Sequence, residues 1–298
     1  MLQQSQAPRG AHRAPRCMFA VSACAVALWA GVANAQGQAS AAAPQEPQFA
    51  TQPPSVPLLK NVPLDPPLTA VNTALDPLPA NAPRAPSDPR NLEGVWINGH
   101  PFYPQISRTI YGTPVPFTAA SAKIVTDRVQ TDLGGRPIGN QASGCRPPGA
   151  FHYYRLNFPI LILQTKNSIY LLSEQYHGLW EVRMNQQHRT RRSNSGDSIG
   201  HWDGDTLVIE TTNFSEPLWL DMAGTPMSPD ARMTYRLRKI DDNQALEIIT
   251  TVNDPSMYSA PWSFANRLVW RPDRFLGEYN CELQLQNGGE RALGNFTK

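Results

Sequence analysis

The residues best suited to acid/base chemistry lie around one predicted turn. Glu174, Tyr176 and His177 stand between two strand-like runs, and His188 follows the second run. A carboxylate and imidazoles enclosed by aromatic walls can transfer protons or orient a bound ligand. On a regular strand Glu174 and His177 point to opposite faces, so pairing them requires a bend, for which Gly178 is suited. The pattern fits an acid/base site, and it also fits a polar strand end with an exposed histidine.

A further carboxylate and several aromatic side chains complete the candidate site. Trp219-Leu220-Asp221 joins an aromatic anchor to a carboxylate on a predicted loop, a pattern that suits binding and is also common in turns. The candidate acid/base residues are Glu174, His177, His188 and Asp221. The candidate ligand-binding residues are Tyr154, Tyr176, Trp180, Trp202 and Trp219.

One catalytic motif matches by pattern only. Gly196-Asp197-Ser198-Ile199-Gly200 has the G-x-S-x-G form of a nucleophilic serine, which needs a strand before it and a helix after it. Here a hairpin turn and a β-branched run follow, so the context excludes that kind of serine hydrolase. The sequence has no phosphate-binding loop, dinucleotide fingerprint or zinc-ligand spacing, and we therefore predict no cofactor and no metal.

The segments that must position these residues have the period of two typical of β-strands. Asp203-Gly204, between two such runs, predicts a two-residue hairpin turn that sets Trp202 opposite Asp205. Trp202, Leu207 and Ile209 then share the face toward the core. The predicted strands are 159–164, 168–174, 178–184, 198–202, 205–211, 232–238, 246–252, 267–270 and 277–283.

Helical spacing is confined to one short stretch, 117–133. Short strands at close intervals predict an all-β fold, mainly an antiparallel barrel or sandwich, with one short helix. Gly94-Val95-Trp96 resembles the entry strand of lipocalin-type barrels. The roughly 200 residues after position 90 suffice for a single β-rich domain, 91–298.

The first 35 residues have the pattern of a secretory signal peptide. Arg9, Arg13 and Arg16 precede an apolar run, which ends at Ala33-Asn34-Ala35. Signal peptidase accepts such small side chains around its cleavage site. We predict cleavage after Ala35, no membrane span in the mature protein, and a periplasmic or secreted location.

Removal of this segment changes the charge of the protein. The three arginines are among 26 basic residues, and 23 basic against 24 acidic residues remain. A nearly neutral surface gives no electrostatic reason to expect nucleic acid or an anionic membrane as a partner. A small-molecule ligand or substrate is the expected partner, and the sequence does not determine the oligomeric state.

Residues 36–90 form a proline- and alanine-rich stretch with 13 of the 29 prolines of the chain. Such a segment buries too little apolar surface to offset the entropy of ordering, so we predict a disordered tether. A spacer and a short proline-rich recognition motif are both open as its role.

Only Cys145 and Cys281 remain after cleavage. Two cysteines in an exported protein usually pair, so we predict a disulfide between them. Two unpaired buried thiols are the alternative.

The chain resembles a family of secreted bacterial proteins that has no assigned activity. The resemblance covers most of the domain and is most specific in two stretches. These are the S-x-G-x-W-x-G-D-T-L-V pattern at 198–208 and the Y-x-x-P-W pattern at 258–262, accompanied by Cys145-Arg146-Pro147-Pro148-Gly149 (C-x-P-x-G). It supports the domain bounds and export, and it implies no reaction.

This chain departs from the family at several polar positions. Members similar to it carry histidine at the positions of Met227 and Arg232 and glutamate at that of Tyr235. They also have Asp-Gly-Arg in place of Asn185-Gln186-Gln187. A metal or acid/base site formed by those residues in the family would be incomplete here.

Two functions follow from these observations. The abundance of aromatic residues and the nearly neutral charge favour an exported β-barrel that binds a small apolar or aromatic ligand. The alternative is an isomerase, lyase or hydrolase in the same scaffold, using the Glu/His/Asp cluster. A cell-envelope interaction protein is a third, plainer possibility.

Overall fold

The computed structural model shows that the strands after Leu92 form a closed β-barrel, with alternate side chains pointing into its core. The structure describes residues 43–59, 71–101, 103–136, 145, 147–279 and 281; the predicted signal peptide, 1–35, lies outside them. The predicted all-β class, with a barrel as its architecture, is confirmed. Within these ranges no helix has the length and apolar character needed to cross a bilayer.

Among the described residues, nine strands close the barrel and two very short strands pair outside it. The barrel order is β1-β11-β10-β9-β6-β5-β4-β3-β2, with β2 pairing back to β1. The strands are β1 Gly94–Asn98, β2 Ile160–Gln164, β3 Ser168–Ser173, β4 Gly178–Met184, β5 Asp197–Asp203, β6 Thr206–Thr212, β7 Leu218–Trp219, β8 Pro226–Met227, β9 Arg232–Ile240, β10 Ala245–Asn253 and β11 Trp262–Trp270.

Large side chains from alternate positions fill the barrel. On β1, Trp96 lies opposite both Trp270 and Ile160, and the two indole rings meet edge to face with centroids 5.3 Å apart. Such rows of buried aliphatic and aromatic residues continue on most of the other barrel strands, because successive side chains of a strand point to opposite faces, whereas β5 contributes Ser198 and Gly200. The interior is therefore a packed core.

The β5–β6 hairpin turns one residue later than predicted. Asp203 pairs with Thr206, and Trp202 with Leu207, so Gly204 and Asp205 occupy the turn. Gly204 takes φ +57°, which glycine adopts without steric cost. The prediction that Trp202 faces Asp205 was wrong. The partner of Trp202 shifts by two positions, from Asp205 to Leu207, and a shift by two keeps each side chain on the same face of the sheet. Leu207 is buried as expected.

β4 and β5 pair in parallel, unlike the other described barrel strands. Only three residues of each strand overlap, beginning at Val182 opposite Ser198. The second strand therefore starts near the level at which the first one ends. Because of this stagger the chain returns only a short way along β4 before β5 begins. The twelve residues between Met184 and Asp197 therefore suffice to connect the two parallel strands.

Two α-helices within the described ranges precede the strands β2 to β11. α1, Ala119–Leu133, matches the predicted helix, and the Thr118 hydroxyl caps it by accepting from the Ser121 N–H at 3.2 Å. α2, Ala150–Tyr153, was not predicted and is a single buried turn. It leads directly to Tyr154, whose side chain enters the barrel.

The described residues of the proline-rich stretch, 43–59 and 71–90, lie against the domain without forming a helix or a strand. Pro83 accepts a hydrogen bond from the Trp270 indole at 2.8 Å, and Pro86 accepts one from the Lys239 ammonium at 2.7 Å. Near the beginning of the described chain, Tyr111 donates to the Pro44 carbonyl. The disordered tether stays a prediction, since it concerns motion, and its residues 36–42 and 60–70 lie outside the described ranges.

The predicted disulfide between Cys145 and Cys281 is present, with Cα atoms 5.8 Å apart. A strand predicted over 277–283 is not formed at 277–279, and the remainder lies largely outside the described residues. The closed barrel offers no free strand edge there. Instead the Gly277 N–H donates to the Glu174 carboxylate at 2.7 Å.

Candidate functional site

Two of the predicted ligand-binding residues meet inside the barrel. Tyr154 and Trp180 have ring centroids 6.5 Å apart, and both lie against Tyr235, at 6.2 and 4.8 Å. All three are almost wholly buried. These rings occupy the barrel interior themselves, so their arrangement serves packing.

The hydrogen-bonding groups of these aromatic residues have partners within the barrel. Tyr154 and Thr250 share a hydroxyl hydrogen bond of 2.7 Å. The Trp180 indole donates to Ser198 at 2.7 Å, and Ser198 in turn bonds Thr211. Burial raises the pKa of the Tyr154 phenol, which keeps it neutral. The serine of the G-x-S-x-G pattern is thus a buried strand residue, as its context predicts.

The turn that carries Glu174 and His177 bends as the acid/base interpretation requires. Gln175–His177 form a 3₁₀ turn, and Tyr176 and His177 have positive φ angles of 59° and 47°. His177 is exposed. The Tyr176 ring packs against Tyr279, with centroids 5.0 Å apart. This corner holds a carboxylate and an exposed imidazole, and its carboxylate anchors the segment after β11.

His188 belongs to a different cluster, which the sequence did not reveal. Its Nδ1 lies 2.9 Å from the Asp197 carboxylate. That carboxylate also accepts hydrogen bonds from the Arg183 guanidinium and the Arg189 N–H, each at 2.9 Å. Burial opposes ionisation of Asp197, but these donors outweigh it and lower its pKa. His188 Nε2 is buried and has no partner among the described residues.

Asp221 is enclosed, and its oxygens are already engaged. They accept hydrogen bonds from the Ile106 N–H at 2.8 Å and from the N–H and hydroxyl of Thr225 at 3.0 and 2.6 Å. Burial raises the pKa of Asp221, and these donors together with Arg155 oppose that shift. The carboxylate acts here as a support for two loops.

The two remaining aromatic candidates lie at separate places on the domain. The Trp219 ring lies beneath the Arg128 guanidinium at 4.3 Å, and its carbonyl bonds His152 Nε2 at 2.6 Å. Trp202 is half-buried near the β5–β6 turn, 5.9 Å from the Arg90 guanidinium. Each ring thus has a local cationic partner.

The structure does not bring the four acid/base candidates together. His177 immediately precedes the first residue of β4. His188 bonds Asp197, and Asp197 is the neighbour of Ser198, which pairs with Val182 near the last residue of β4. Along the strand this separation is roughly 15 Å. Asp221 is bonded within its own loops. Proton transfer between the Glu174–His177 corner and His188 is therefore excluded by distance.

A cavity of about 540 Å³ lies on the outside of the barrel, which we call the outer groove. Its floor comes from adjacent strands: Glu210 on β6 pairs with Thr234 on β9, which pairs with Thr251 on β10. The side chains at these outward positions form one polar row. Residues 43–48 form the roof, and Ala260 and Pro261 close one side.

The chemistry of the outer groove is mixed. Pro44, Pro47 and Pro261 contribute apolar rings, and Glu210 with the two threonines contributes one carboxylate and two hydroxyls. The roof adds the polar side chains of Gln45, Glu46 and Gln48, so the lining carries two carboxylates and is at least as polar as it is apolar. The volume falls in the usual range of small-ligand sites. This arrangement suits a compact apolar or aromatic body that carries a hydrogen-bond donor.

The sequence predicts the ligand among the tryptophans and tyrosines, but none of these residues lines the outer groove. Alternation along the predicted strands already set Glu210 outward, and it does the same for Thr234 and Thr251. The register that aligns them across three strands depends on long-range pairing. No local pattern encodes that pairing, nor does one encode the roof supplied by residues 43–48.

Comparison of the sequence with models of protein families gives no match, and comparison with curated proteins gives none. In the part of the chain that the structure describes, no three His, Cys, Asp or Glu side chains are grouped as metal ligands. The candidate function therefore rests on the geometry of the domain.

Proposed function

We propose that the protein is an exported β-barrel that binds a small apolar or aromatic ligand in the outer groove. The observation that carries the proposal is the row of Glu210, Thr234 and Thr251 beneath a roof of proline-containing chain. Proline rings offer rigid apolar surfaces that lose no side-chain entropy on binding. The Glu210 carboxylate orients a ligand hydroxyl or amine, and export is supported by the signal pattern and the disulfide.

A ligand screen with matched variants tests this function. Thermal-shift screening of small aromatic and apolar compounds should identify binders, whose dissociation constants calorimetry then measures. Glu210→Met and Thr234→Val each remove an acceptor and should each weaken binding of a donor-bearing compound about tenfold, the effect of one lost hydrogen bond. Thr206→Val lies on the same strand outside the groove lining and should leave affinity unchanged. If the identified compounds bind both groove variants as tightly as the wild type, the assignment of the ligand to the outer groove is wrong.

One observation favours a second candidate, an acid/base enzyme. His188 donates through Nδ1 to Asp197, which leaves Nε2 as the basic nitrogen, and Nε2 has no partner among the described residues. A carboxylate that fixes the imidazole tautomer is the usual support of a general base. On this proposal the reaction proceeds at His188, with Arg183 orienting Asp197.

Assays on activated esters and on substrates with acidic C–H bonds test this candidate. Any turnover should be lost in His188→Gln and reduced in Asp197→Asn, while His177→Gln retains it. Turnover that is equal in wild type and His188→Gln would rule out His188 as the base.

A further inference from the structure

A buried glutamine side chain binds the backbone of the proline-rich stretch at two points. Gln105 Oε1 accepts a hydrogen bond from the Leu59 N–H at 2.9 Å, and its Nε2 donates to the Pro57 carbonyl at 3.0 Å. Only 1% of Gln105 is exposed. One primary amide thus bridges a carbonyl and an N–H two residues apart, as a neighbouring β-strand would. We call this contact the Gln105 clasp.

The clasp stands on a rigid, buried support. Asp221 accepts from the N–H of the next residue, Ile106, and the Met222 N–H donates to the Pro104 carbonyl at 2.9 Å. Arg155 bonds the carbonyl of Leu220. The loop that carries Asp221 therefore fixes the loop that carries Gln105. Preorganised groups bind more tightly because they lose little freedom on association.

Apolar contacts and a second cavity flank the clasp. Val56 and Leu59 pack against the hydrophobic core beneath them. Beside them a cavity of about 300 Å³ lies between the segment, which contributes Pro54, Val56 and Leu58, and the domain, which contributes Pro114, Val115 and Phe117 among others. The segment therefore has the features of a bound peptide, namely backbone hydrogen bonds for affinity and apolar side chains packed on the domain for selectivity.

We propose that the Gln105 clasp and this cavity form a binding site for extended, proline-containing peptides, which residues 53–59 occupy as an intramolecular ligand. The site accepts proline at the position of Pro57, since only its carbonyl is used. It excludes proline at the position of Leu59, where an N–H is required. Val56 stands before a proline, which already favours extended backbone. The partner is thus an extended segment with apolar residues flanking a proline, presented by another exported chain.

The linkage of the segment to the domain sets the conditions for exchange. An attached segment competes at a millimolar effective concentration, so a free peptide is at a disadvantage while the chain is intact. A specific protease site inserted between Lys60 and Asn61 lets the folded full-length chain be cut. The resident segment is then held only by its contacts, and a labelled synthetic peptide of residues 43–59 can replace it.

Fluorescence anisotropy of that peptide with the cut protein provides the test. We expect saturable binding, which weakens about tenfold when the Leu59 nitrogen is methylated, because the donor to Gln105 is lost. Methylation of the Leu58 nitrogen is the matched control and should leave the affinity unchanged. Gln105→Ala should weaken the parent peptide at least as much, and should bind the parent and the Leu59-methylated peptide equally.

Two outcomes would overturn the proposal. One is equal affinity for the parent and both methylated peptides. The other is the absence of peptide binding by cut protein from which size-exclusion chromatography has removed the resident segment, with near-ultraviolet circular dichroism confirming that the barrel is folded. Both outcomes are measured on cut protein, whereas the outer groove is tested on the intact chain through Glu210 and Thr234, so the two proposals fail independently.

Discussion

Individual polar side chains enclosed by the domain make its stability depend on pH. His152 and Asp197 are both buried, and each has a hydrogen-bond partner within the domain. The His152 ring remains neutral because burial and the nearby Arg155 cation disfavour its protonated form, against the opposing effect of the Trp219 carbonyl. Asp197 remains ionised because it accepts from three donors. The two residues therefore respond to acid at different pH values.

His152 should make the protein less stable in mild acid. Burial lowers the pKa of His152 from 6.5 to about 4, aided by Arg155 and opposed by the Trp219 carbonyl. Between these pH values His152 is therefore protonated in the unfolded chain and neutral in the folded chain. The free energy of unfolding should fall by about 3 kcal/mol as the pH drops from 6.5 to 4.

Urea unfolding of wild type and His152→Gln across this pH range measures the effect. The difference between the two proteins should vary with pH and level off below pH 4. His201→Gln, on the outer wall of β5, should follow the wild type. A difference that is constant with pH would contradict the assignment.

Asp197→Asn should be one of the most damaging single substitutions in the barrel wall. It leaves the buried Arg183 guanidinium without its charge partner, and breaking a buried pair typically costs about 3–5 kcal/mol. The matched control is Asp203→Asn on the same strand. Asp203 pairs with Arg236 at a more exposed position, where the loss should be about 1 kcal/mol or less.

The pH dependence of this contribution has a defined sign. The folded-state pKa of Asp197 is lowered, so its stabilisation is complete above pH 3.8 and disappears as the pH falls through that lower value. Chemical denaturation at pH 7 and pH 3 checks both points. Equal losses in the Asp197 and Asp203 variants at pH 7 would contradict the prediction.

At the scale of elements, the disulfide is the main covalent constraint on how the segments sit together. Cys145 lies before α2, and Cys281 lies after the last barrel strand. The segment leading to Cys281 also crosses Glu174 and packs Tyr279 on Phe158, with ring centroids 5.6 Å apart. The bridge thus fixes both ends of a chain portion that includes β2 through β11.

Loss of the bridge should lower the free energy of unfolding without changing the fold. A sequence separation of 136 residues gives about 4–5 kcal/mol in the chain-entropy model. Cys145→Ser/Cys281→Ser should unfold at a lower urea concentration than the oxidised wild type and at the same concentration as the reduced wild type. Identical midpoints for oxidised and reduced protein would show that the bridge contributes nothing to stability.

At the scale of the whole molecule, the proposed export is the property most directly open to measurement. The Ala33-Asn34-Ala35 pattern predicts a mature protein that begins at Gln36. Intact mass spectrometry of protein from the periplasm and the medium should give that mass. Ala35→Leu should block processing because the peptidase pocket admits small side chains, whereas Asn34→Leu should be processed normally. Full-length protein retained in the cytoplasm would refute export.

Much of the barrel was predictable because its strands alternate clearly. β4 and the Lys166-Asn167 turn match the prediction, since local residue types determine them. The hairpin at Gly204 was displaced by one residue because Asp203 and Asp205 suit a turn equally well. The clusters around His188 and Gln105 were not predictable, because Asp197 and Leu59 reach them only through the folding of intervening loops, which no local pattern encodes.

Strand β1 also determines when the domain can close. It pairs with β2 on one side and with β11 on the other, so the first barrel strand joins the last. Non-local pairing of this kind slows folding, because the entropy of closing the chain is lost before the stabilising contacts form. A chain that ends before Trp262 would leave β1 and β10 as open edges, which invite pairing with other chains. Incomplete products of this protein should therefore aggregate, whereas the completed barrel hides both edges in a single seam.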